Sequence, residues 1–479
     1  MKVSIHVLYC IFASIVYYTF LIFFDPTSQS LNLNVAIYVL SLSSLIIFFS
    51  LLICEWKEKK NMFHPINIFL MMLGLFNAGQ FILWALGIHS KTELGKTKFI
   101  SFLSADVLVK TIYLVNFGML FLYFGIKLNR KKQFNVWLER INIKFFGDTS
   151  RLFLAAKIVS VCVLMYAVPV TLYSTFSKFG IASLYGYQYL YYGTSGTNLI
   201  FSIAKYMFLP GLLLFWVGNE YSKKAFNIIS VLFFLYAVLN MMIGERGTWL
   251  KGLLVLISIY YHFYKKISFR TIIFIVLLGG IVLTLGSVLV HFREYGFSNV
   301  ALEDVLNYIV EGNVLFQPIF EMGSSANVLG IIVKEKINII NTGTRNTYIP
   351  AILGMFFSSM KVFFGYPDMY LENWISQTYL GLKNYGLGFT IFAEAYFNGG
   401  DVFYPIILIM LGYLIGKILN VEISNSNNPI TNFMIFSSLA LLCDYTRSSL
   451  AYPLRCFAYG VLIPLGLTFI IYSMIRKDV

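Results

Sequence analysis

The sequence predicts an all-α polytopic membrane protein with about twelve transmembrane helices and one large helical loop on the outer side. Of its 479 residues, 58% are hydrophobic and only 12% are charged, and the mean hydropathy is +0.75. A soluble chain carries about 25% charged residues, roughly twice this fraction. Apolar stretches long enough to cross about 30 Å of hydrocarbon recur along the whole chain.

The net charge of +14 lies mostly in short clusters between the apolar stretches. Such clusters determine the membrane topology, because basic residues stay on the side of the negatively charged cytoplasmic leaflet. We therefore interpret the charge as a topology signal. Membrane lipid is the expected environment, and no nucleic-acid partner is expected.

Twelve apolar stretches reach the length of a transmembrane helix or come close to it. They cover residues 3–24, 35–54, 63–88, 105–126, 152–174, 199–217, 226–243, 250–264, 271–290, 402–419, 431–449 and 456–475. The eighth stretch is short and the eleventh carries charge, so the number is predicted to within one or two.

Lysine and arginine are concentrated in every second connection. With the N-terminus inside, the cytoplasmic connections contain "EWKEKK" (55–60) and the basic segment 127–151, whereas the outer loop 25–34 has no basic residue. The outer loop 89–104, with three lysines, is an exception. Because positive residues favour the cytoplasmic side, both termini are predicted to be cytoplasmic.

This orientation leaves one long segment on the outer side. The predicted organisation is nine transmembrane helices with short loops over 1–290, a large external loop or cap over 291–400, and three further transmembrane helices over 401–479. The external segment is rich in aromatic residues and contains amphipathic stretches such as 300–322. These features predict a folded helical cap.

Arginine residues collect on the predicted outer side, close to the ends of transmembrane stretches. An ionisable group there is costly unless it is paired or faces water, and the positive-inside rule disfavours arginine in short outer turns. The planar arginine fork forms bidentate, charge-assisted hydrogen bonds with phosphate. We therefore predict a bound anion of the phosphate class. The candidate arginines are Arg246, Arg293, Arg345, Arg447 and Arg455.

Each of these arginines also has a simpler interpretation. Arg246 can pair with the neighbouring Glu245 and cap its turn, and Arg447 can pair with Asp444 one helical turn earlier. Arg455 can be an interfacial anchor, and the two arginines of the long loop can be solvated charges. The prediction that all five lie on the same side of the membrane is stronger evidence for an anion site than any one of them.

A narrow polar stripe occurs in "GLGFTIFAEAYFNGGD" (386–401). On a helix, Thr390, Glu394 and Asn398 lie at i, i+4 and i+8, on one face of an otherwise apolar surface. A single glutamate in such surroundings requires a cation, a hydroxyl group or water. Glu394 is therefore predicted either to pair with one of the arginines or to contact a substrate directly.

Other outer residues suit a sugar substrate. The loop "SLYGYQYLYYGTSG" (183–196) contains five tyrosines, among them Tyr187 and Tyr191. Aromatic faces with polar edges bind sugar rings, although an interfacial aromatic belt has a similar composition. His291 is either a base beside Arg293 or an ordinary interfacial histidine.

The sequence lacks several signatures of other chemistries. It contains no Asp-x-Asp pair and no cluster of His, Asp and Glu at metal-ligand spacing. No glycine-rich phosphate loop precedes a predicted helix. We therefore expect neither a metal cofactor nor a nucleotide substrate.

Four segments of the chain resemble the Wzy-type O-antigen polymerases, which polymerise oligosaccharide repeat units. They are "FHPINIFLMMLGLFNAGQFILWALG" (63–87), "IGERGTWLKGLLVLISIYYHF" (243–263), "GTRNTYIPAILGMFF" (343–357) and "YGLGFTIFAEAYFNGGDVFYPIILIMLGYLIGKIL" (385–419). With the span number and the single long outer loop, the resemblance covers most of the chain. The family's usual Asn-Phe-Gly after Glu-Ala-Tyr is "FNGG" here, which puts only the local turn in question.

The resemblance implies a membrane-embedded glycosyltransferase of the C type at the periplasmic face of the bacterial inner membrane. Such an enzyme moves a growing glycan from one undecaprenyl pyrophosphate carrier to the sugar of a new lipid-linked repeat unit. The implied partners are undecaprenyl-pyrophosphate-linked oligosaccharide, a chain-length regulator and a flippase. No cofactor is implied.

Combined with the residue inventory, the resemblance suggests individual roles. Arg246 would hold the pyrophosphate leaving group, and Glu245 would keep that arginine oriented. The candidate catalytic residues are Arg246, Arg345, Arg447 and Glu394. The candidate substrate-binding residues are Arg293, Arg455, Glu245, His291, Tyr187 and Tyr191.

Two other functions fit part of the pattern. An O-antigen ligase shares the architecture and differs in its acceptor. A lipid-linked oligosaccharide flippase also has about twelve spans, but it should have two related halves and short loops throughout, and this sequence has neither. The lipopolysaccharide of a mutant separates them, because single-repeat capping indicates loss of a polymerase and bare core indicates loss of a ligase or flippase.

Overall fold

A computed structural model provides the structure of the chain. It describes residues 5–23, 33–88, 103–128, 149–185, 199–243, 247–265, 302–311, 316–340, 346–367, 370–378, 387–420 and 429–477, with isolated positions between 279 and 292 and at 342 and 380–381. Within these residues, every regular element is helical. The all-α class is therefore confirmed for the described part of the chain.

The first half of the chain forms mostly long helices. They are α1 (Ile5–Phe23), α2 (Leu33–Lys59), α3 (Pro65–Ala85), α4 (Ala105–Leu128), α5 (Thr149–Tyr185), α6 (Leu199–Gly218), α7 (Lys223–Ile243) and α8 (Gly247–Phe263).

The second half contains a run of short helices followed by longer ones. The short helices are α9 (Leu302–Glu311), α10 (Gln317–Gly323), α11 (Asn327–Lys334), α12 (Tyr348–Leu353), α13 (Ser358–Phe363) and α14 (Leu371–Thr378). The later helices are α15 (Ile391–Leu419), α16 (Pro429–Tyr445), α17 (Ala451–Phe457) and α18 (Ile463–Lys477). The long segment predicted to lie outside is thus helical where it is described.

Eight helices in the described residues are long and apolar enough to cross a membrane. Seven are α2 to α7 and α15, and the eighth is the continuous segment Ala451–Ile475. The chain is therefore a multi-pass membrane protein. Twelve spans stay a prediction, because the predicted span 271–290 lies mainly outside the described residues and α16 has only 17 residues.

The helices form two compact units that are interleaved in the sequence. Unit 1 comprises Met1–Lys131, Ile319–Asn420 and Tyr445–Tyr452. Unit 2 comprises Lys132–Pro318, Val421–Asp444 and Pro453–Val479. The division predicted at 290 and 400 concerns membrane topology and stays a prediction.

Helices α4 and α15 of unit 1 pack in close backbone contact. Gly412 and Gly416 form a Gly-x-x-x-Gly pair on α15, and a Cβ on either would collide with a backbone carbonyl of α4, at Leu122 or Ile126. Small residues of this spacing allow membrane helices to approach closely. The contact fixes the position of α15 in unit 1.

Helix α15 is broken at Gly400, which has φ +54° and ψ −160°. Glycine tolerates this positive φ because it lacks a Cβ. Directly after the break, Lys110 Nζ lies 3.0 Å from Asp401 Oδ1, and the Tyr396 hydroxyl donates to the same oxygen at 3.1 Å. From Asp401 to Leu419 the helix is about 28 Å long at about 1.5 Å per residue. This part alone is long enough to cross the hydrocarbon of a bilayer.

Helix α3 is almost entirely buried within unit 1. His64 is its N-cap residue, and the ring nitrogen of His64 accepts the Ile66 N–H at 3.4 Å. Pro65 is the first helical residue, a position where the missing N–H of proline leaves no hydrogen bond unmade. The buried Asn77 amide donates to the Thr446 carbonyl at 3.2 Å. This helix therefore reaches the segment that carries Arg447.

Unit 2 contains an aromatic cluster around Trp216 of α6. The indole N–H donates to the Tyr264 hydroxyl at 2.7 Å, and the ring packs edge-on against Phe436 of α16. The hydrogen bond satisfies a donor that would otherwise be buried at a cost. The cluster joins α6 and α16 beside the end of α8.

We expect Gly412→Ala to destabilise the protein, because the added methyl group meets the Leu122 carbonyl. Overpacking of this kind typically costs about 1–3 kcal/mol. Thermal unfolding of the purified full-length chain in detergent should show a lower Tm.

Gly466→Ala in α18 is the matched control. No described atom lies within 4 Å of its Cβ position, and alanine favours a helix by about 1 kcal/mol over glycine. Its Tm should stay equal or rise. An unchanged Tm for Gly412→Ala would contradict the close packing of α4 and α15.

Candidate functional site

Three of the ten residues predicted for the site lie in the described part of the chain. They are Glu394, Arg447 and Arg455. Seven lie outside it, and their roles stay predictions: Tyr187, Tyr191, Glu245, Arg246, His291, Arg293 and Arg345. The geometry of the site is therefore built from the surroundings of Glu394, which belong to unit 1.

The polar stripe forms the first two turns of α15. Thr390 is the N-cap residue, and its hydroxyl accepts the Ala393 N–H at 3.2 Å. Glu394 follows one turn later and Asn398 two turns later, and the Asn398 amide donates to the Glu394 backbone carbonyl at 2.7 Å. The predicted face is present on the helix, with Phe392 buried beside it.

The Glu394 carboxylate is fully buried and accepts hydrogen bonds from neutral donors. The Thr347 hydroxyl donates to Oε1 at 2.8 Å, and the Leu450 backbone N–H donates to Oε2 at 2.8 Å. Asn398 completes the network, because its amide donates to Thr347 Oγ1 at 2.8 Å and accepts the Thr347 N–H at 2.9 Å. The glutamate thus has a hydroxyl group as one of its partners, while the predicted arginine pairing and the predicted substrate contact stay predictions.

This carboxylate joins two segments that are distant in the sequence. Thr347 lies 47 residues before Glu394, and Leu450 lies 56 residues after it. Thr347 is two positions beyond Arg345, and Leu450 is three positions beyond Arg447. One buried group therefore binds both Thr347 and the turn that carries Arg447.

A phenol is buried next to the same carboxylate. The hydroxyl of Tyr348, which directly follows Thr347, is buried. Burial, and then the nearby charge of Glu394, raise the pKa of Tyr348 well above its ordinary value. The phenol therefore stays neutral and can serve as a hydrogen-bond donor.

The backbone around Arg447 is fixed by buried groups. The Phe389 N–H donates to the Arg447 carbonyl at 2.8 Å, and the Asn77 amide donates to the Thr446 carbonyl at 3.2 Å. Together with the bond to Glu394, these contacts hold the turn that follows α16. These contacts involve the backbone of the turn, so they do not depend on the Arg447 side chain.

The Arg447 side chain is exposed, although its backbone is fixed. Its guanidinium carbon lies 5.7 Å from the centre of the Phe76 ring, in the range of a cation–π contact. A Cβ on Gly388 would lie 3.1 Å from Arg447 Cγ, so glycine gives this side chain its room. An exposed guanidinium on a fixed backbone can bind an anion through its planar fork.

A second carboxylate, Glu372 of α14, holds the same turn. The Ser449 hydroxyl donates to Glu372 Oε2 at 2.8 Å, and the Tyr366 hydroxyl donates to Ser449 Oγ at 3.2 Å. Burial raises the pKa of Glu372, while the Ser449 hydrogen bond and the Lys361 charge oppose the rise. Sequence reasoning missed Glu372, because a glutamate in a long polar segment resembles a solvated charge.

In unit 2, Asp444 forms an ion pair with Lys251 near the start of α8. Only 13% of the Lys251 side chain and 14% of the Asp444 side chain are exposed. The sequence suggested Asp444 as a partner of Arg447, whereas Lys251, a single charge in an apolar run, gave no sign of this pairing. The pair anchors α8, which begins directly after Arg246.

Arg455 lies half-buried in the last turn of α17. Directly after this helix, Ala458–Leu462 form a π-helical turn. Single π turns are frequent at functional sites, because they redirect the side chains around them. The side chain remains a candidate for the anion site.

In the described part of the chain, no group of three or more His, Cys, Asp or Glu side chains is placed to hold a metal ion. The site as described offers instead an exposed arginine on a fixed backbone, the buried carboxylate of Glu394, the half-buried carboxylate of Glu372 and hydroxyl groups. This set suits recognition and charge stabilisation of an anion.

The chain was compared with known protein families, curated proteins and solved structures. A family model described as O-antigen polysaccharide polymerase Wzy matches residues 6–478. No curated protein and no solved structure matches the chain. The family match confirms the resemblance of the four segments quoted above.

Proposed function

Because the chain belongs to the O-antigen polysaccharide polymerase Wzy family, we propose that it joins lipid-linked oligosaccharide repeat units into O-antigen. Membership makes it a glycosyltransferase-type polymerase of polysaccharide biosynthesis. The proposed substrates are undecaprenyl-pyrophosphate-linked repeat units. The proposed location is the periplasmic face of the bacterial inner membrane, with both termini in the cytoplasm.

In the proposed reaction, a hydroxyl oxygen of the acceptor sugar attacks the anomeric carbon of the growing glycan. The bond between that carbon and the pyrophosphate oxygen breaks, and the acceptor hydroxyl gives its proton to a base, for which His291 is the candidate. Undecaprenyl pyrophosphate leaves with the bonding electron pair, so negative charge grows on its phosphate oxygens in the transition state. Fixed donors that meet this charge lower the barrier.

The arrangement of Arg447 carries the proposal. Its side chain is exposed, while buried hydrogen bonds hold its backbone. A guanidinium carried on a fixed backbone can bind two phosphate oxygens through its planar fork and so meet the charge that grows in the reaction. We assign Arg447 to the leaving pyrophosphate. Arg246 and Arg345 are proposed for the same charge, and Arg293 and Arg455 are proposed for substrate binding.

Glu394 is proposed to position the arginine segments rather than to remove a proton. A general base must reach the reacting hydroxyl within about 2.6–3.2 Å, whereas this carboxylate is fully buried. Its two oxygens accept hydrogen bonds from Thr347 and Leu450. Through these residues it would set the spacing between the segments of Arg345 and Arg447.

The remaining candidates keep their proposed roles. Glu245 would orient Arg246, and His291 is the candidate base. Tyr187 and Tyr191 would stack on sugar rings. A chain-length regulator and a flippase are the proposed protein partners.

The first prediction concerns Arg447→Ala. Losing one fixed donor of this kind typically costs about 2.7–4 kcal/mol, which is about a hundred- to thousandfold in rate. Arg447→Lys should restore activity only partly, because lysine keeps the charge and loses the fork. The product ladder made by purified protein from synthetic lipid-linked repeat units measures the effect.

Lys336→Ala is the control, since Lys336 is an exposed cation of the same unit outside the site. In cells, lipopolysaccharide of the Arg447→Ala strain should carry single repeats rather than bare core. Full-length polymer from Arg447→Ala would contradict the assignment.

A second prediction separates positioning from proton transfer at Glu394. Glu394→Gln should keep most activity, because the amide oxygen still accepts the Leu450 N–H and the amide nitrogen can donate to Thr347. Thr347→Val should lower both the amount of folded protein and the polymer. It leaves buried groups of Glu394 and Asn398 unsatisfied, at about 1–3 kcal/mol each. A normally folded Glu394→Gln variant that makes no polymer would identify the carboxylate as the proton acceptor.

A third prediction is that the transfer needs no divalent cation, because arginines offset the leaving-group charge in the proposed site. The purified enzyme should extend its glycan at an unchanged rate in excess chelator. A loss of activity that Mg²⁺ or Mn²⁺ restores would show that a cation shares this task.

A further inference from the structure

Helices α12 and α13, residues 348–363, expose an unusual number of large apolar side chains. The exposed fraction reaches 81% for Phe363, 68% for Phe357 and 60% for Ile349. The full set is Ile349, Ile352, Leu353, Phe357, Met360, Val362 and Phe363. Concentrated apolar exposure of this kind marks a surface that meets a protein or a membrane.

The single charge of this helix pair is turned inward. Between Asn346 and Pro367, the sequence has no charged residue other than Lys361. The Lys361 side chain is buried, and its ammonium nitrogen lies 4.7 Å from the centre of the Tyr366 ring and 4.6 Å from that of Tyr370. A helix pair in water would expose its lysine and bury its phenylalanines, because charged groups are costly to bury. Here the arrangement is reversed.

The helix pair is anchored at the end of a membrane-spanning helix. Thr347, directly before α12, is bound by Glu394 and Asn398 in the first two turns of α15. Farther along α15, large apolar side chains are exposed on the part long enough to cross the bilayer, including Phe403 and Met410. The apolar surface of the pair thus starts beside a helix that already faces lipid.

The dimensions of the pair fit an interfacial element. Each helix has six residues and is about 9 Å long. That length is far short of the roughly 30 Å needed to cross the hydrocarbon. Helices that meet lipid without crossing it lie in the plane of the interface and bury an apolar face about 5–10 Å deep. A protein interface would bring polar residues at its rim, whereas among the described side chains of 348–363 Ser359 is the one exposed polar group beside seven exposed apolar ones.

We propose that the α12–α13 pair inserts into the headgroup and upper acyl-chain region of one membrane leaflet, with bulk phospholipid as its partner. The inserted set is led by Phe357 and Phe363. The buried Lys361 keeps its charge out of the lipid. This inference does not depend on the proposed polymerase function.

Spin-label accessibility tests the proposal on the full-length chain in phospholipid nanodiscs without any lipid-linked sugar. Cys10, Cys54 and Cys162 are first replaced with alanine, since the two other cysteines are buried. Nitroxide labels are then attached at Phe357→Cys and Phe363→Cys. Collisions with oxygen, which concentrates in hydrocarbon, are compared with collisions with a water-soluble nickel chelate.

Two positions of unit 1 calibrate the result. A label at Met410→Cys reports lipid, and a label at Glu335→Cys, an exposed residue after α11, reports water. We expect the labels at 357 and 363 to favour oxygen over nickel, as the 410 label does. Elution as a single species on size exclusion confirms folding, and Ile349→Cys replaces either position if a label disturbs it.

Two outcomes would overturn the proposal. Labels at 357 and 363 that favour the nickel chelate, like the label at 335, would place the pair in water. Labels shielded from both reagents would show that a second copy or another protein covers the pair instead of lipid.

Discussion

A buried carboxylate needs hydrogen-bond donors, and the candidate site depends on how Glu394 obtains them. Leaving such a group without partners in an apolar interior costs far more than a single hydrogen bond returns. Its donors come from outside α15, from Thr347 and Leu450. Since α15 is itself held against α4 by the glycine contacts at Gly412 and Gly416, the position of the carboxylate is set by helix packing. The two arginine-bearing segments then take their positions from the carboxylate.

A second carboxylate, Glu372, binds the residue directly before Leu450. Ser449 binds Glu372, whereas Leu450 binds Glu394, so neighbouring residues of one turn are held by different carboxylates. Like charges this close disfavour each other's ionised forms. Around Glu372, burial raises the carboxyl pKa, while the Ser449 hydrogen bond and the positive charge of Lys361 oppose the rise. The turn that carries Arg447 is therefore held by hydrogen bonds to both carboxylates.

Local patterns were predictable from the sequence, and long-range contacts were not. Predicted spans such as 105–126 and 199–217 agree closely with α4 and α6, because an apolar helix satisfies its own backbone in lipid. The stripe on α15 followed from i, i+4 spacing. Its partner Thr347 did not, because no periodicity relates residues 47 positions apart. The predicted start of a span at 402 also missed the first turns of α15, since "NGGD" signals a helix end while the chain turns at Gly400 and continues as helix.

The break at Gly400 also bears on the depth of the candidate site in the membrane, and therefore on its competition with ordinary phospholipids. If the part after the break fills the hydrocarbon, Glu394 lies about 9 Å farther along the helix, at about the depth of the phospholipid headgroups. An arginine at that level meets ordinary phosphodiesters in vast excess over the proposed carrier lipid. Strong affinity for a single phosphate would then keep the site occupied by bulk phospholipid. For the proposed substrate, discrimination comes from what common lipids lack, the second phosphate and the attached sugars, and weak affinity for a single phosphate becomes an advantage.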